Sequence, residues 1–140
     1  MSRPTRHDNA MEWALTTAKR STCNRLNVGA VIAMDGRPLS AGYNGPPKGR
    51  PHCKHKPTNN DPCVAAIHAE RNAIIWAARV GVAIEGADLY VTHMPCLSCA
   101  GDIIQAGIAT VRYAHAYRDS SGVDLLIDAG VQCIAFERLD

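Results

Sequence analysis

Several features that define large classes of protein are absent from this sequence of 140 residues. No apolar run approaches the roughly twenty residues that span a bilayer. The first residues, MSRPTRHD, lack the apolar core of a signal peptide. There is no internal repeat and no low-complexity tract. The formal net charge of +2 is too small to indicate a long nucleic acid as partner, because a phosphate track needs many cations. We therefore expect a cytoplasmic protein that binds neither membranes nor long nucleic acids.

The length and the cysteine content narrow the class further. A chain of 140 residues is expected to form a single domain over 1–140 and to bury roughly two-thirds of its unfolded surface. In a chain that we expect to stay in the cytoplasm, six cysteines are more typical of metal ligands or buried thiols than of disulfides.

Hydrophobic periodicity predicts the order of the elements. The first half is predicted to contain a helix over 8–20 and a hairpin of strands 28–34 and 38–43 that turns at Asp35-Gly36. A mostly buried helix follows over 68–80, with Trp76 in the core, and then a strand over 89–92. The next helix has Pro95 in its first turn and runs to Gly107, and it is followed by a strand over 110–114, a helix over 124–129 and a strand over 131–136. Alternating strands and helices in the second half imply right-handed crossovers and parallel pairing. We therefore predict a three-layer α/β/α domain with a five-stranded mixed sheet.

The segment between the hairpin and the second helix differs from the rest. Residues 44–67 contain five prolines, two glycines and no apolar period. A loop of this length inside a compact domain is uncommon unless it is functional or held in place. It contains His52, Cys53, His55 and Cys63, so a metal ion is one way to hold it.

Two short motifs carry the chemistry. His68-Ala69-Glu70 opens one predicted helix, and Pro95-Cys96-Leu97-Ser98-Cys99 opens another. One imidazole and two thiolates are the ligand set of a catalytic zinc site with an open fourth position. Glu70 lies two residues after His68 and does not share its helix face, so we expect it beside the metal rather than among its ligands. A closed structural zinc and a Cys-x-x-Cys redox pair are the alternatives.

This combination, His-x-Glu followed by Pro-Cys-x-x-Cys, is the signature of zinc-dependent nucleobase deaminases. Zinc in such a site lowers the pKa of a bound water to about 7. Glu70 is then the predicted catalytic residue, which passes the proton of the water to the ring nitrogen and to the leaving amine.

The chain also resembles the deoxycytidylate (dCMP) deaminases of the cytidine deaminase-like superfamily, from about residue 21 to about residue 136. The pieces that carry the resemblance are TCNR at 22–25, VGAVI at 28–32, GYNG at 42–45, HC at 52–53, HAERNAI at 68–74, GADLYVT at 86–92, PCLSC at 95–99, IQAGI at 104–108 and YR at 117–118. The zinc motif alone identifies the superfamily, and GYNG with cysteines on either side favours its nucleotide branch.

The resemblance implies a function and a regulation. It implies hydrolysis of dCMP to dUMP and ammonia, which supplies dUMP for dTMP synthesis, in a hexamer regulated by dCTP and dTTP with Mg2+. It also implies substrate contacts for Asn44, Arg25, Tyr117 and Arg118. Arg118 is the preferred phosphate ligand, because a guanidinium binds phosphate through two parallel hydrogen bonds. The alternatives are a turn residue at 44 and solvated surface arginines at 25 and 118.

The resemblance further implies a second, structural zinc that holds the long loop. The matching ligands are Cys23, Cys53 and Cys63, with His52 or His55 as the fourth. The chain departs from the family pattern around Cys63, where proline precedes the cysteine, so the fourth ligand stays open. The basic residues of the same loop indicate either a solvated surface or an anion site for a nucleoside triphosphate effector: Lys48, Arg50, His52, Lys54, His55 and Lys56.

Other functions remain possible for the same motifs. The enzyme alternatives are a deaminase of a 5-modified dCMP or of another nucleobase, including tRNA adenosine or guanine. A tRNA enzyme needs a broader basic face than this chain has. A non-catalytic zinc-binding member of the family is the alternative from a different class, and Glu70 argues against it, because a structural zinc needs no proton shuttle.

Overall fold

The computed structural model describes residues 2–23, 25–52 and 66–137. Three predicted metal ligands, Cys53, His55 and Cys63, lie outside these residues. The elements in chain order are α1 (Arg6–Ala18), β1 (Gly29–Met34), β2 (Arg37–Tyr43), α2 (Ala69–Val80), β3 (Asp88–His93), α3 (Leu97–Gln105), β4 (Thr110–His115), α4 (Ser121–Asp128) and β5 (Gln132–Ala135). None of the helices in the described ranges has the length and apolar character that a bilayer crossing requires.

The strands form one sheet in the order β2-β1-β3-β4-β5. β1 pairs antiparallel with β2 and β3, whereas β3, β4 and β5 pair in parallel. The β1–β2 turn has positive φ at both Asp35 (51°) and Gly36 (78°), which is the geometry that the Asp-Gly pair predicts. The mixed five-stranded sheet is therefore as predicted.

Helices cover both faces of the sheet. Side chains of each strand alternate between the two faces, so that both faces carry apolar residues that need to be buried. On one face, residues of α1 such as Met11 pack against Val31, Ala33 and Tyr90. On the other face, α2, α3 and α4 pack against the alternate residues of the strands in one cluster, which includes Ala73, Ile103, Leu126, Ile32 and Val91. The predicted three-layer α/β/α architecture is confirmed.

The prediction that α2 is mostly buried is wrong. Its buried face consists of Ala69, Glu70, Ala73 and Ala77, while Trp76 is 47% exposed and lies under the guanidinium of Arg79. The physical reason is the close approach of this helix to β2. A Cβ atom on Gly42 would lie 2.6 Å from the carbonyl oxygen of Ala69 and from the amide nitrogen of Ala73. A helix this close to the sheet has room for alanine beneath it, so its bulky side chains face outward.

The boundaries of α3 and α4 also differ from prediction. α3 has Cys96 as its N-cap, so Pro95 precedes the helix instead of lying in its first turn. The helix ends at Gln105 rather than running to Gly107, which has a φ of +82°. α4 begins at Ser121, three residues earlier than predicted, where the carboxylate of Asp119 accepts a hydrogen bond from the Ser121 amide at 3.0 Å.

Candidate active site

Two helix N-termini meet at one edge of the sheet. His68 is the N-cap of α2 and Cys96 is the N-cap of α3, and both have extended backbones. Neither side chain caps its own helix. The Nδ1 atom of His68 lies 3.4 Å from the Sγ atom of Cys96 and 3.3 Å from that of Cys99. The structure thus brings together all three side chains that the sequence predicts as metal ligands.

The geometry of this group fits a zinc ion. Its three ligand atoms all lie within 4.8 Å of one another. Tetrahedral zinc with bonds of about 2.0–2.1 Å to nitrogen and about 2.3 Å to sulfur separates these atoms by about 3.6 Å, close to the observed nitrogen–sulfur distances. Among the residues that the structure describes, His68, Cys96 and Cys99 are the one group of three or more histidine, cysteine or acidic side chains close enough together to hold a metal ion. The donor set, one imidazole and two sulfurs, suits zinc.

The electrostatics of the two thiols also suit a metal. Hydrogen bonds from Cys99 and then from His68 lower the pKa of Cys96 to about 3, so its sulfur is a thiolate at neutral pH. Thiolate is the form that ligates metals. The hydrogen bond to Cys96 raises the pKa of both His68 and Cys99, and burial raises that of Cys99 further. Metal binding therefore releases a proton from this cluster.

Glu70 lies in the first turn of α2 and lines the same pocket. It is only 4% exposed, and burial raises the pKa of its carboxyl to about 7. A carboxyl that titrates near neutral pH is suited to accept and return a proton in one reaction cycle. Glu70 is not among the three ligand atoms of the cluster, as its spacing from His68 predicts.

The first turn of α4 packs closely against the segment that carries Cys96. Gly122, in the first turn of α4, lies directly against the backbone of Pro95 and Cys96. A Cβ atom there would lie 2.3 Å from the carbonyl oxygen of Pro95 and 2.7 Å from the carbonyl carbon of Cys96. Sequence reasoning missed Gly122, because nothing local in the sequence distinguishes it from an ordinary helix-start glycine.

The pocket beside the cluster has a volume of about 650 Å³, within the range of small-molecule sites. His68, Glu70 and Cys96 line it together with Asn44. The Asn44 side chain is 8% exposed and holds the neighbouring backbone: its Oδ1 accepts from the amide of Val28 at 2.8 Å, and its Nδ2 donates to the carbonyl of residue 26 at 2.7 Å. Asn44 thus lines the pocket and also fixes the segment before β1.

The two arginines that were predicted to contact substrate differ in their position relative to the pocket. Of the described residues, those lining the pocket include Arg25 and Tyr117 but not Arg118, which is exposed. The Tyr117 ring stacks on His93 with the ring centroids 5.8 Å apart, and His93 in turn lies 4.9 Å from the ring of His115. Sequence reasoning gave no role to His93, because a histidine at a strand end carries no specific signal.

The residues of the predicted second metal site are only partly described. Cys23 lines the pocket, and the Nδ1 atom of His52 lies 2.7 Å from the hydroxyl of Thr22. The other predicted ligands fall outside the described residues.

Comparison with known proteins places this site in a family. Residues 4–115 match the family described as the cytidine and deoxycytidylate deaminase zinc-binding region. The ComE operon protein 2 of Bacillus subtilis is 50% identical over 103 residues, which cover 72% of this chain and 54% of that protein. The deoxycytidylate deaminase of Saccharomyces cerevisiae is 35% identical over 140 residues, which cover 94% of this chain and 45% of that protein. The chain thus spans about half the length of these curated relatives.

A solved structure matches the chain over nearly its full length. It is the dCMP deaminase from the cyanophage S-TIM5 in complex with dCMP and dUMP, with a TM-score of 0.88 and 32% identity, covering 97% of this chain and 100% of that one. The family match extends over most of the chain and includes His68, Glu70, Cys96 and Cys99. The chain therefore belongs to the cytidine and deoxycytidylate deaminase zinc-binding family.

Proposed function

We propose that this protein hydrolyses dCMP to dUMP and ammonia, as a single deaminase domain over 1–140, and so supplies dUMP for dTMP synthesis. The observation that carries the proposal is the convergence of His68, Cys96 and Cys99 with the buried carboxyl of Glu70 at one pocket. The phage enzyme of similar fold, whose structure contains dCMP and dUMP, supports the choice of substrate.

The chemistry follows from the residues that line the pocket. A zinc ion held by His68, Cys96 and Cys99 would act as a Lewis acid and activate a water molecule for attack on the amine-bearing carbon of the base. Glu70 takes the proton that this water loses and delivers it to the ring nitrogen. Glu70 then takes the proton of the newly added hydroxyl and gives it to the amine, which leaves as ammonia when the carbon–nitrogen bond breaks and the carbonyl forms. A carboxyl with a pKa raised to about 7 by burial can do both at neutral pH. Burial also keeps bulk water from exchanging that proton during the reaction.

The 5′-phosphate of dCMP needs a cation at the mouth of the pocket. Arg25 lines the pocket, so we favour it as the phosphate ligand over Arg118. Tyr117 and Asn44, which also line the pocket, are the proposed contacts to the base and sugar. Arg25→Gln should raise KM for dCMP far more than KM for deoxycytidine, and Arg118→Gln is the matched comparison. Equal effects of Arg25→Gln on the two substrates would contradict the phosphate role.

The decisive experiment measures ammonia release from a panel of cytidine and deoxycytidine nucleosides and their mono-, di- and triphosphates. We expect the highest kcat/KM for dCMP.

Glu70→Gln should retain zinc but lose turnover, because an amide cannot accept the proton. Glu85→Gln, an exposed change of the same type, is the control. A Glu70→Gln variant with near wild-type turnover would exclude the shuttle. Faster turnover of 5-methyl or 5-hydroxymethyl dCMP would instead assign the modified substrate.

We also propose a second, structural zinc with ligands Cys23, Cys53 and Cys63 and with His52 as the fourth. Its physical rationale is that a proline-rich loop with no apolar period gains order from metal ligation. Metal analysis should give two zinc ions per chain, with Cys53 protected from alkylation. One zinc per chain with Cys53 freely alkylated would refute this site.

Regulation and assembly are proposed on the same family basis: a homohexamer in the cytoplasm, activated by dCTP and inhibited by dTTP with Mg2+. Light scattering tests the hexamer, and cell fractionation tests the location. Isothermal titration with dCTP and Mg2+ tests the effector site. Absence of heat at millimolar dCTP would favour an unregulated enzyme.

A further inference from the structure

Arg71 follows Glu70 directly and reaches from α2 to α3. Its Nε atom donates to the carboxylate of Asp102 at 2.7 Å, and its Nη2 atom donates to the hydroxyl of Ser98 at 2.6 Å. One guanidinium therefore contacts two side chains that lie one turn apart on the same helix. Both distances are at the short end of the range for hydrogen bonds to charged groups.

The positions of these partners relate the contact to the metal cluster. Ser98 lies between the two sulfur ligands, Cys96 and Cys99, in the first turn of α3. Arg71 lies in the first turn of α2, whose N-cap is His68. The nitrogen ligand thus belongs to one helix and the sulfur ligands belong to the other. The distance from nitrogen to sulfur depends on how the two N-termini are held against each other, and Arg71 joins them at that point.

We propose that Arg71 is a positioning residue for the metal centre, which fixes the first turn of α2 against that of α3 and so preorganises His68, Cys96 and Cys99 for a divalent cation. The inference rests on the proposed role of these three residues as zinc ligands. Arg71 is not among the residues that line the pocket, and its proposed effect comes only through the relative placement of the two helices.

Because the contact is exposed to solvent, a role in zinc binding can be distinguished from a role in global stability. The side chains of Arg71 and Asp102 are 39% and 37% exposed, and ion pairs with this access to solvent contribute little to global stability. Loss of Arg71 should therefore leave the unfolding temperature of the metal-free protein nearly unchanged. It should lower the affinity for zinc, because a cluster that is no longer preorganised must be ordered by the ion itself.

The test is competition for zinc against a chromophoric chelator, which does not require turnover. Residues that orient metal ligands from outside the coordination sphere typically change affinity by about 10–100-fold, and we expect Arg71→Met to bind zinc about tenfold more weakly than the wild type. Arg71→Lys keeps the charge but offers one nitrogen instead of a planar fork, so it should lose most of the same affinity. Arg79→Met is the matched control, because Arg79 lies on the same helix and stacks on Trp76.

Asp102→Asn is the second variant, and it keeps the shape of the partner side chain. Asp102→Asn should also lower the affinity for zinc. The double variant Arg71→Met with Asp102→Asn should bind zinc as tightly as Arg71→Met alone, because both substitutions remove one shared interaction. Wild-type affinity in Arg71→Met or Arg71→Lys, or an equal loss in Arg79→Met, would overturn the proposal. The expected order of zinc affinities among these variants does not depend on dCMP being the substrate. If the wild type binds no zinc, the assignment of His68, Cys96 and Cys99 as zinc ligands is wrong.

Discussion

The contact of Gly122 with the Cys96 segment gives a prediction whose size can be estimated. In Gly122→Ala the new methyl group would lie 2.3 Å from the carbonyl oxygen of Pro95, whereas ordinary contacts begin near 3.4 Å. The neighbouring atoms are backbone on both sides, so α4 and the Pro95–Cys96 peptide have to separate by about 1 Å, with an overpacking cost of about 1–3 kcal/mol. In a chain of this length that cost corresponds to a fall in Tm of about 3–10 °C.

The same displacement moves a proposed metal ligand, since Cys96 is one of the residues that is pushed. A misplacement of about 1 Å near a reaction centre can lower turnover by about 100-fold. We therefore expect Gly122→Ala to lose zinc more readily to a chelator and to lose most of its turnover. Tm by calorimetry, zinc content by atomic absorption and ammonia release on dCMP measure the three effects.

Gly101 provides the control. It lies in the middle of α3, and nothing lies within 4 Å of the position of a Cβ atom there. Gly101→Ala should raise stability by about 0.5–1 kcal/mol, because alanine is the better helix former. It should leave zinc binding unchanged. If Gly122→Ala retained the zinc affinity and turnover of Gly101→Ala, the close contact would have no part in positioning Cys96.

Three further predictions concern single side chains. Asn44→Ala leaves the amide of Val28 and the carbonyl of residue 26 without their partner, so urea unfolding should show a loss of about 1–3 kcal/mol; an unchanged midpoint would contradict this role. Tyr90→Phe removes the hydroxyl that lies 2.6 Å from Nδ1 of His7 and should cost about 0.5–1.5 kcal/mol, with α1 exchanging its amide hydrogens faster. Burial lowers the pKa of His7 below its ordinary value of 6.5, so the unfolded chain binds this proton first and stability should fall as pH drops below about 6.5. His7→Gln should flatten that decline in urea unfolding between pH 7.5 and pH 5, and an identical slope would show that His7 does not contribute.

The sequence predicted the sheet well, because each strand and turn carries its own local signal. The Asp35-Gly36 pair predicted the hairpin, and alternation of strand and helix predicted the parallel half. The metal cluster was equally accessible, since residue type and spacing define His68, Cys96 and Cys99 without tertiary knowledge. Their observed convergence follows from two helices that start at the same edge of the sheet.

The misses have a common cause, which is contact between elements far apart in sequence. Trp76 was predicted in the core from its apolarity, but the approach of α2 to Gly42 leaves room only for alanine on the inner face. The link from Arg71 to α3 depends on residues 27 and 31 positions away. The choice between Arg25 and Arg118 depends on which loop reaches the pocket. No local pattern encodes any of these distances.

The division of the helices between the two faces of the sheet has a consequence for how the protein tolerates change. The residues proposed for chemistry lie on α2, α3 and the loops beyond the strand ends, whereas α1 covers the opposite face with side chains such as Met11 and Trp13. Substitutions under α1 should therefore lower the folded fraction while the kcat of each folded molecule stays constant. A variant library scored for abundance and for specific activity should divide along the plane of the sheet. Engineering for heat resistance can begin on the α1 side without retuning the reaction.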